Sequence, residues 1–297
     1  MVIVAASALV AFILLMPEPA MAWGPVTHVA LGMQVLASVI TPDYPLQAVV
    51  ASLPEVFLYG SLAPDIVQGR RFQSRLRRHS HNWTVGLGLL GAATNAQESA
   101  FAMGYLAHLA ADVVAHNFYL PARFIGQFES AVASHIYAEA RFDSIQPPEF
   151  HDLLVALVNV DFSELDAMLD RAIDSPLIPF KAHRRIFEGG LKRIRQWNAV
   201  VKALSPVEGD ELAHTKLFTE SSCSAIGGVM RSPERAPACS YDPMGTEALR
   251  HALASRRNLQ RLIRMGPQAK KTARELAATM VRDVHSHLRQ APFILAG

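Results

Sequence analysis

Cysteine is nearly absent from this sequence, with Cys223 and Cys239 the only two among 297 residues. That excludes a zinc site built from cysteines alone. Charged residues are sparse at 18%, against 51% hydrophobic residues, which excludes a disordered or fibrous chain and suits a compact globule. The formal net charge of +2 selects no class of partner. No internal repeat, no low-complexity tract and no convincing run of alternating β-branched residues is present.

The apolar run at residues 2–16 (VIVAASALVAFILLM) is too short to span a bilayer comfortably and is stopped by Pro17, Glu18 and Pro19. It suits the hydrophobic part of a secretory signal, although the basic residues that usually precede one are missing. Ala20-Met21-Ala22 supplies the small residues a signal peptidase needs, so cleavage between Ala22 and Trp23 would export the protein to the periplasm or medium with Trp23 as its new N-terminus. An uncleaved membrane anchor is the alternative. Residues 23–297 then read as a single domain, with a core at 23–142 and a helical continuation at 143–297. In an exported chain the two cysteines are expected to pair, closing a loop worth about 3 kcal/mol.

What is present is helical periodicity. Apolar residues recur at three- and four-residue spacing in VTHVALGMQVLASVI, HDLLVALV, FKAHRRIFEGGLKRIRQWNAVVKAL, TEALRHALASRRNLQRLIRM and AKKTARELAATMVRDVHSHL. Turn chemistry places breaks at Pro42-Asp43, Pro147-Pro148, Ser175-Pro176, Ser205-Pro206 and along Thr219 to Pro243. The expected fold is all-α, a multi-helix bundle with its ligand site between facing helices.

One more absence locates that site. From His79 to Ala122 there is no lysine or arginine, yet FAMGYLAHLAADVVAHNFYLP at 101–121 carries His108, Asp112 and His116 in an almost wholly apolar segment. At four-residue intervals the three side chains share one helix face, each about 6 Å along the axis from the next. A helix apolar all round is buried, and a buried aspartate needs a cationic partner or a metal. Imidazoles flanking a carboxylate suit a divalent cation such as zinc. His135 and Glu139 repeat the four-residue spacing in SHIYAEA, while Asp65 in GSLAPDI and the pair His79 and His81 in RRHSHNW lie upstream.

Together, Trp23 with Thr27-His28, LAPDI, HSHNW, GYLAHLAADVVAHNFYLP and His135 with Glu139 resemble the bacterial zinc-dependent phospholipases C, more distantly related to the fungal single-strand nucleases. The resemblance runs in order from residue 23 to about residue 142. It implies a buried cluster of three Zn2+ ions. Trp23, through its freed amine and carbonyl, and His28 would hold one ion, with Asp112 bridging. Asp65, one of His79 and His81, His108 and Asp112 would hold the second. His116, His135 and Glu139 would complete the third. Between His79 and His81 the choice is open, with His81 preferred because HNW looks like a helix start.

Closely spaced metals suit hydrolysis of a phosphodiester, with Asp65 as the candidate to orient or deprotonate the attacking water. The implied substrate is a phospholipid, cut to diacylglycerol and a phosphorylated headgroup. Another phosphodiester is the alternative, with nucleic acid as a partner only in that case, and a zinc-stabilised binding protein is a third reading. Ile66 stands where a choline-binding relative would carry an aromatic. Trp83, Phe118 and Tyr119 are candidates to line a site or to fill the core. Arg70, Arg71, Arg75, Arg77 and Arg78, with the basic amphipathic segments of the C-terminal half, would attract an anionic substrate or a membrane surface, or simply face water. His285 and His287 read as surface residues. The oligomeric state is not legible.

Overall fold

The computed structural model describes residues 23–38, 44–67, 78–130, 135–173, 179–204 and 209–294. All regular structure among them is helical, as the periodicity requires. The helices are α1 (Pro25–Ser38), α2 (Pro45–Ser52), α3 (Pro54–Gly60), α4 (Trp83–Ala92), α5 (Ala96–Val114), α6 (Leu120–Gly126) and α7 (His135–Ser144). They continue as α8 (Pro148–Val158), α9 (Ser163–Ala172), α10 (Phe180–Leu204), α11 (Gly209–Arg231), α12 (Thr246–Leu262) and α13 (Pro267–Arg289). The segment expected to be a signal, 1–22, and the turns expected at Pro42-Asp43, Ser175-Pro176 and Ser205-Pro206 lie outside the described residues. No single helix among the described residues is long and apolar enough to cross a membrane.

Helix α5 is the axis of the molecule, and α1, α2, α3, α4 and α11 all pack against it. Its start is set locally. Asn95 accepts the Glu98 N–H at 2.9 Å, and the Glu98 carboxylate accepts the Thr94 N–H at 2.6 Å and the Thr94 hydroxyl at 2.8 Å. Such a cap contributes roughly 1 kcal/mol. From Ala100 to Val114 every residue is buried. Gly104 and Gly60 let α5 and α3 touch backbone to backbone, since a methyl group on Gly104 would run into the Phe57 carbonyl and one on Gly60 into the Phe101 carbonyl. That contact carries α3, and the 3₁₀ turn Ala63–Asp65 that follows it, onto the face of α5 bearing His108.

Three expectations are corrected. Residues 219–231 are not a loop but the second half of α11. Ser221, Ser222, Cys223, Ala225, Ile226, Val229 and Met230 are all buried, so packing against α5 overrides the weak helix preference of a Ser- and Gly-bearing stretch. Cys223 and Cys239 are both free thiols rather than a disulfide. Cys223 sits on α11, where burial pushes its thiol up to about 12, and the Cys239 thiol donates to the Pro233 carbonyl at 3.3 Å. Finally, His285 is buried against His214 and Phe218, while His287 is exposed. A smaller apolar cluster of Phe124, Ile125, Phe128, Ala252, Leu259, Ala273 and Ala277 joins α12 and α13 to α6 and the turn after it.

Candidate metal centre

Five side chains from four parts of the chain converge beside α5. His28 comes from the first turn of α1, Asp65 from the 3₁₀ turn, His81 from the segment before α4, and His108 and Asp112 from α5 itself. The Asp112 carboxylate is the hub: Oδ1 lies 3.4 Å from His28 Nε2, and Oδ2 lies 3.2 Å from both His81 Nε2 and His108 Nε2. Asp65 Oδ1 is 3.3 Å from His81 Nε2 and 3.9 Å from His108 Nε2. The His28 and His108 rings stack with centroids 3.9 Å apart. Each of the five is at most 2% exposed.

Their orientation is fixed from behind. His108 Nδ1 donates to the Ser61 carbonyl at 2.8 Å, which leaves the Nε2 lone pair of the neutral ring facing the cluster. That nitrogen is 3.0 Å from His81 Nε2. Burial pushes the Asp112 carboxyl up, but His108, with His28 and His81 beside it, outweighs that and holds the carboxyl well below the usual carboxylate range. Burial pushes the His108 imidazole down, and the Asp112 and Asp65 carboxylates beside it reverse the shift to a net rise. Burial and the neighbouring His108 keep the His28 imidazole below its ordinary value.

These residues fit a divalent metal. Neither Asp112 oxygen nor His28 Nε2 has a hydrogen bond of acceptable geometry, so buried donors that face one another are left short of protons to share. One donor atom from each of His28, Asp65 and His108 lies within 4.8 Å of the others, and so does one from each of His81, His108 and Asp112. Nitrogen and carboxylate oxygen are the donors zinc takes.

The remaining candidates are placed more variously. His79 turns aside, its Nδ1 accepting the His81 N–H at 3.1 Å, so His81 is the histidine of the pair that faces Asp65 and Asp112. His116 is buried just past the end of α5. The chain makes a π-helical turn at Ala115–Tyr119, directly after α5, which adds a residue to that turn. His116 Nδ1 lies 4.0 Å from Asp112 Oδ2 and donates to the Pro243 carbonyl at 2.5 Å, leaving Nε2 as its donor atom. Trp23 is fully buried, its indole N–H donating to the Ala111 carbonyl at 3.0 Å and its ring packed on Tyr119 and Phe142 at 4.7 and 4.2 Å. Glu139 is buried on α7. The His135 side chain, which opens α7, lies outside the described residues.

Tyr119 and Phe118 are core residues, and Trp83 is half-buried with its indole donating to the Tyr241 carbonyl at 2.9 Å. Ile66 is likewise buried. Arg70, Arg71, Arg75 and Arg77 lie outside the described residues, whereas Arg78 closes the end of α9 by donating to the Arg171 and Ile173 carbonyls at 2.8 and 3.2 Å. Sequence reasoning missed Asp143, one more four-residue step along α7 from Glu139. It is buried and accepts the Thr27 N–H at 2.8 Å and the Thr27 hydroxyl at 2.6 Å. Burial pushes its carboxyl up to about 6, against the pull of those donors. The repeating spacing was the available signal.

The family model described as zinc dependent phospholipase C matches residues 27–175, just over half of the chain, and the chain belongs to that family. The match takes in every histidine and carboxylate named above for the centre; Trp23 lies before it and α10 to α13 after it. No curated protein and no solved structure matches the chain.

Proposed function

We propose that the protein is an exported zinc-dependent phosphodiesterase that cuts a phospholipid to diacylglycerol and a phosphorylated headgroup. The observation carrying this reading is the convergence of His28, Asp65, His81, His108 and Asp112 into one buried, proton-poor donor set in a chain of the zinc-dependent phospholipase C family. His116, Glu139, His135 and the main chain of Trp23, freed by cleavage after Ala22, complete a site for three Zn2+ ions. Bound zinc supplies positive charge for the phosphoryl oxygens and acidifies water toward neutral pH. Asp112 holds the centre together from its middle, and its buried negative charge orients the three imidazoles around it. Asp65, approached by His81 and His108 through Oδ1, orients the attacking water and takes its proton.

A zinc-stabilised protein without turnover is the second reading, and one feature favours it: every described donor side chain is enclosed. The cavity of about 490 Å³ between α1, α8 and α11, lined by Thr27, Ala30, Leu31, Gln34, Pro147 and Phe150, has none of the centre's donors in its wall. Elemental analysis with intact mass on the purified protein, followed by headgroup release from phosphatidylcholine, phosphatidylethanolamine and phosphatidylglycerol vesicles, separates the two. About three zinc ions per chain with headgroup release supports the hydrolase. Full zinc with no release from any phosphodiester leaves the stabilising role, and a zinc-free chain sinks both.

A further inference from the structure

Helix α1 begins in an unusual way. Its first-turn N–H groups have no carbonyl four residues earlier within the helix, and a serine, threonine, aspartate or asparagine normally caps them from the N-cap position. That position here is Gly24, which has no side chain. The cap comes instead from more than 100 residues along the chain. Asp143 of α7 accepts the Val26 N–H at 3.2 Å through Oδ2, and the Thr27 N–H at 2.8 Å and Thr27 hydroxyl at 2.6 Å through Oδ1. The side chain of Asn198, on α10, lies beside this carboxylate and helps to hold its charge, and Asn198 Nδ2 lies 3.1 Å from His151 Nε2 on α8. Gly24 is bare for a physical reason: a methyl group there would overlap the Asp143 carboxyl group.

A local cap would satisfy the same N–H groups without burying a charge, which is costly unless the charge is fully hydrogen-bonded. The long-range cap does one thing a local one cannot, which is to fix where the start of α1 lies relative to α7. The same short segment is gripped from its other side through Trp23, whose indole bonds the Ala111 carbonyl next to Asp112 and packs on Phe142, the residue before Asp143. His28 follows Thr27 directly and faces Asp112 Oδ1 at 3.4 Å.

We propose that Asp143, braced by Asn198, is a positioning residue that docks residues 23–28 on α7 and so sets Trp23 and His28 in register with Asp112. The inference rests on the zinc reading above. It places a residue of α10, beyond the family match, in support of the centre.

The test is Zn2+ titrated into metal-free wild type, Asp143→Ala, Asp143→Asn and Asn198→Ala, with hydrogen exchange of the Val26 and Thr27 amides followed in the same samples. In Asp143→Ala those two amides should exchange at least ~10-fold faster while α5 stays protected, and one zinc equivalent should weaken by about 10- to 100-fold, the usual effect of losing a supporting partner. Asp143→Asn, which keeps one acceptor, should fall between, and Asn198→Ala should shift zinc affinity in the same direction by less. Wild-type zinc affinity in Asp143→Ala, with only faster exchange or a lower melting temperature, would reduce Asp143 to a helix cap and overturn the proposal. Should Asp143→Ala fail to fold, Thr27→Val removes the hydroxyl contact alone, and unchanged zinc affinity there overturns it equally. A wild-type protein that takes up no zinc is a different result, overturning the proposed function and with it the docking role built on it.

Discussion

Asp112 carries a carboxylate into a part of the protein where no described lysine or arginine meets it, and three imidazoles surround it instead. A buried carboxylate needs positive charge beside it, which either a protonated imidazole or a metal cation shared among these groups supplies, and the donor set fits the metal. Asp112→Asn should therefore lower zinc content by at least one equivalent and activity by more than ~100-fold, beyond what loss of a mere supporting partner costs. Elemental analysis alongside headgroup release checks it, and full zinc retention would show that Asp112 is not the hub. The cluster around Asp112 was legible in the sequence because helix periodicity alone puts His108 beside it, and because the surrounding segment lacks basic residues. Asp143 was legible only as a further four-residue step from His135 and Glu139, and its role was not. Its partners are backbone N–H groups of Val26 and Thr27, which leave no trace in residue identity.

At the scale of elements, the periodic segments named in the sequence are all helices, α10 to the residue and α12 and α13 closely. Periodicity failed where packing decides. The π-helical turn after α5, which contains His116, is announced by no period in the sequence. Helix α11 runs through a Ser-, Cys- and Gly-bearing stretch because small residues fit close beside α5, a reason visible only once the two are together. The crossing of α3 and α5 is equally a packing fact, and it makes Gly104→Ala a sharp probe. Its methyl would meet backbone at Phe57 and Gly60 rather than a side chain able to move, so the variant should lose about 1–3 kcal/mol in urea denaturation. An unchanged midpoint would mean the helices slide apart freely.

The docking of α13 offers a pH test. Arg274, bonding Glu129 at 2.6 and 3.2 Å, and Lys270 at 3.1 Å hold the Glu129 carboxyl down at about 2, from an ordinary 4.5. A carboxyl depressed in the folded state contributes stability above its ordinary value, and that contribution is lost as pH falls from 4.5 through about 2. The group is solvent-exposed, so the effect is small and screened by salt. Wild type should melt slightly higher than Glu129→Gln at neutral pH, with the gap closing across that acid window and in about 1 M salt. A gap independent of both pH and salt would assign the difference to packing.

For the whole molecule, the decisive event on the proposed reading is the making of its N-terminus. Trp23 is held by its side chain, through the Ala111 carbonyl, Tyr119 and Phe142, and these contacts do not depend on whether Ala22 is still attached. What cleavage changes is the main chain: a peptide nitrogen carries no lone pair for a metal, whereas a free amine does. The fold should therefore form in the precursor, with α1 already docked by Asp143, and only the last ligand should wait for processing. A protein made with one extra residue before Trp23 should match the processed form in helix content and in metal-free melting temperature. It should bind about one zinc fewer and lose activity in proportion to that ion's occupancy. Circular dichroism, elemental analysis and intact mass on the two forms decide it. Equal zinc in both would remove the Trp23 amine from the centre and leave the signal cleavage as a matter of export alone.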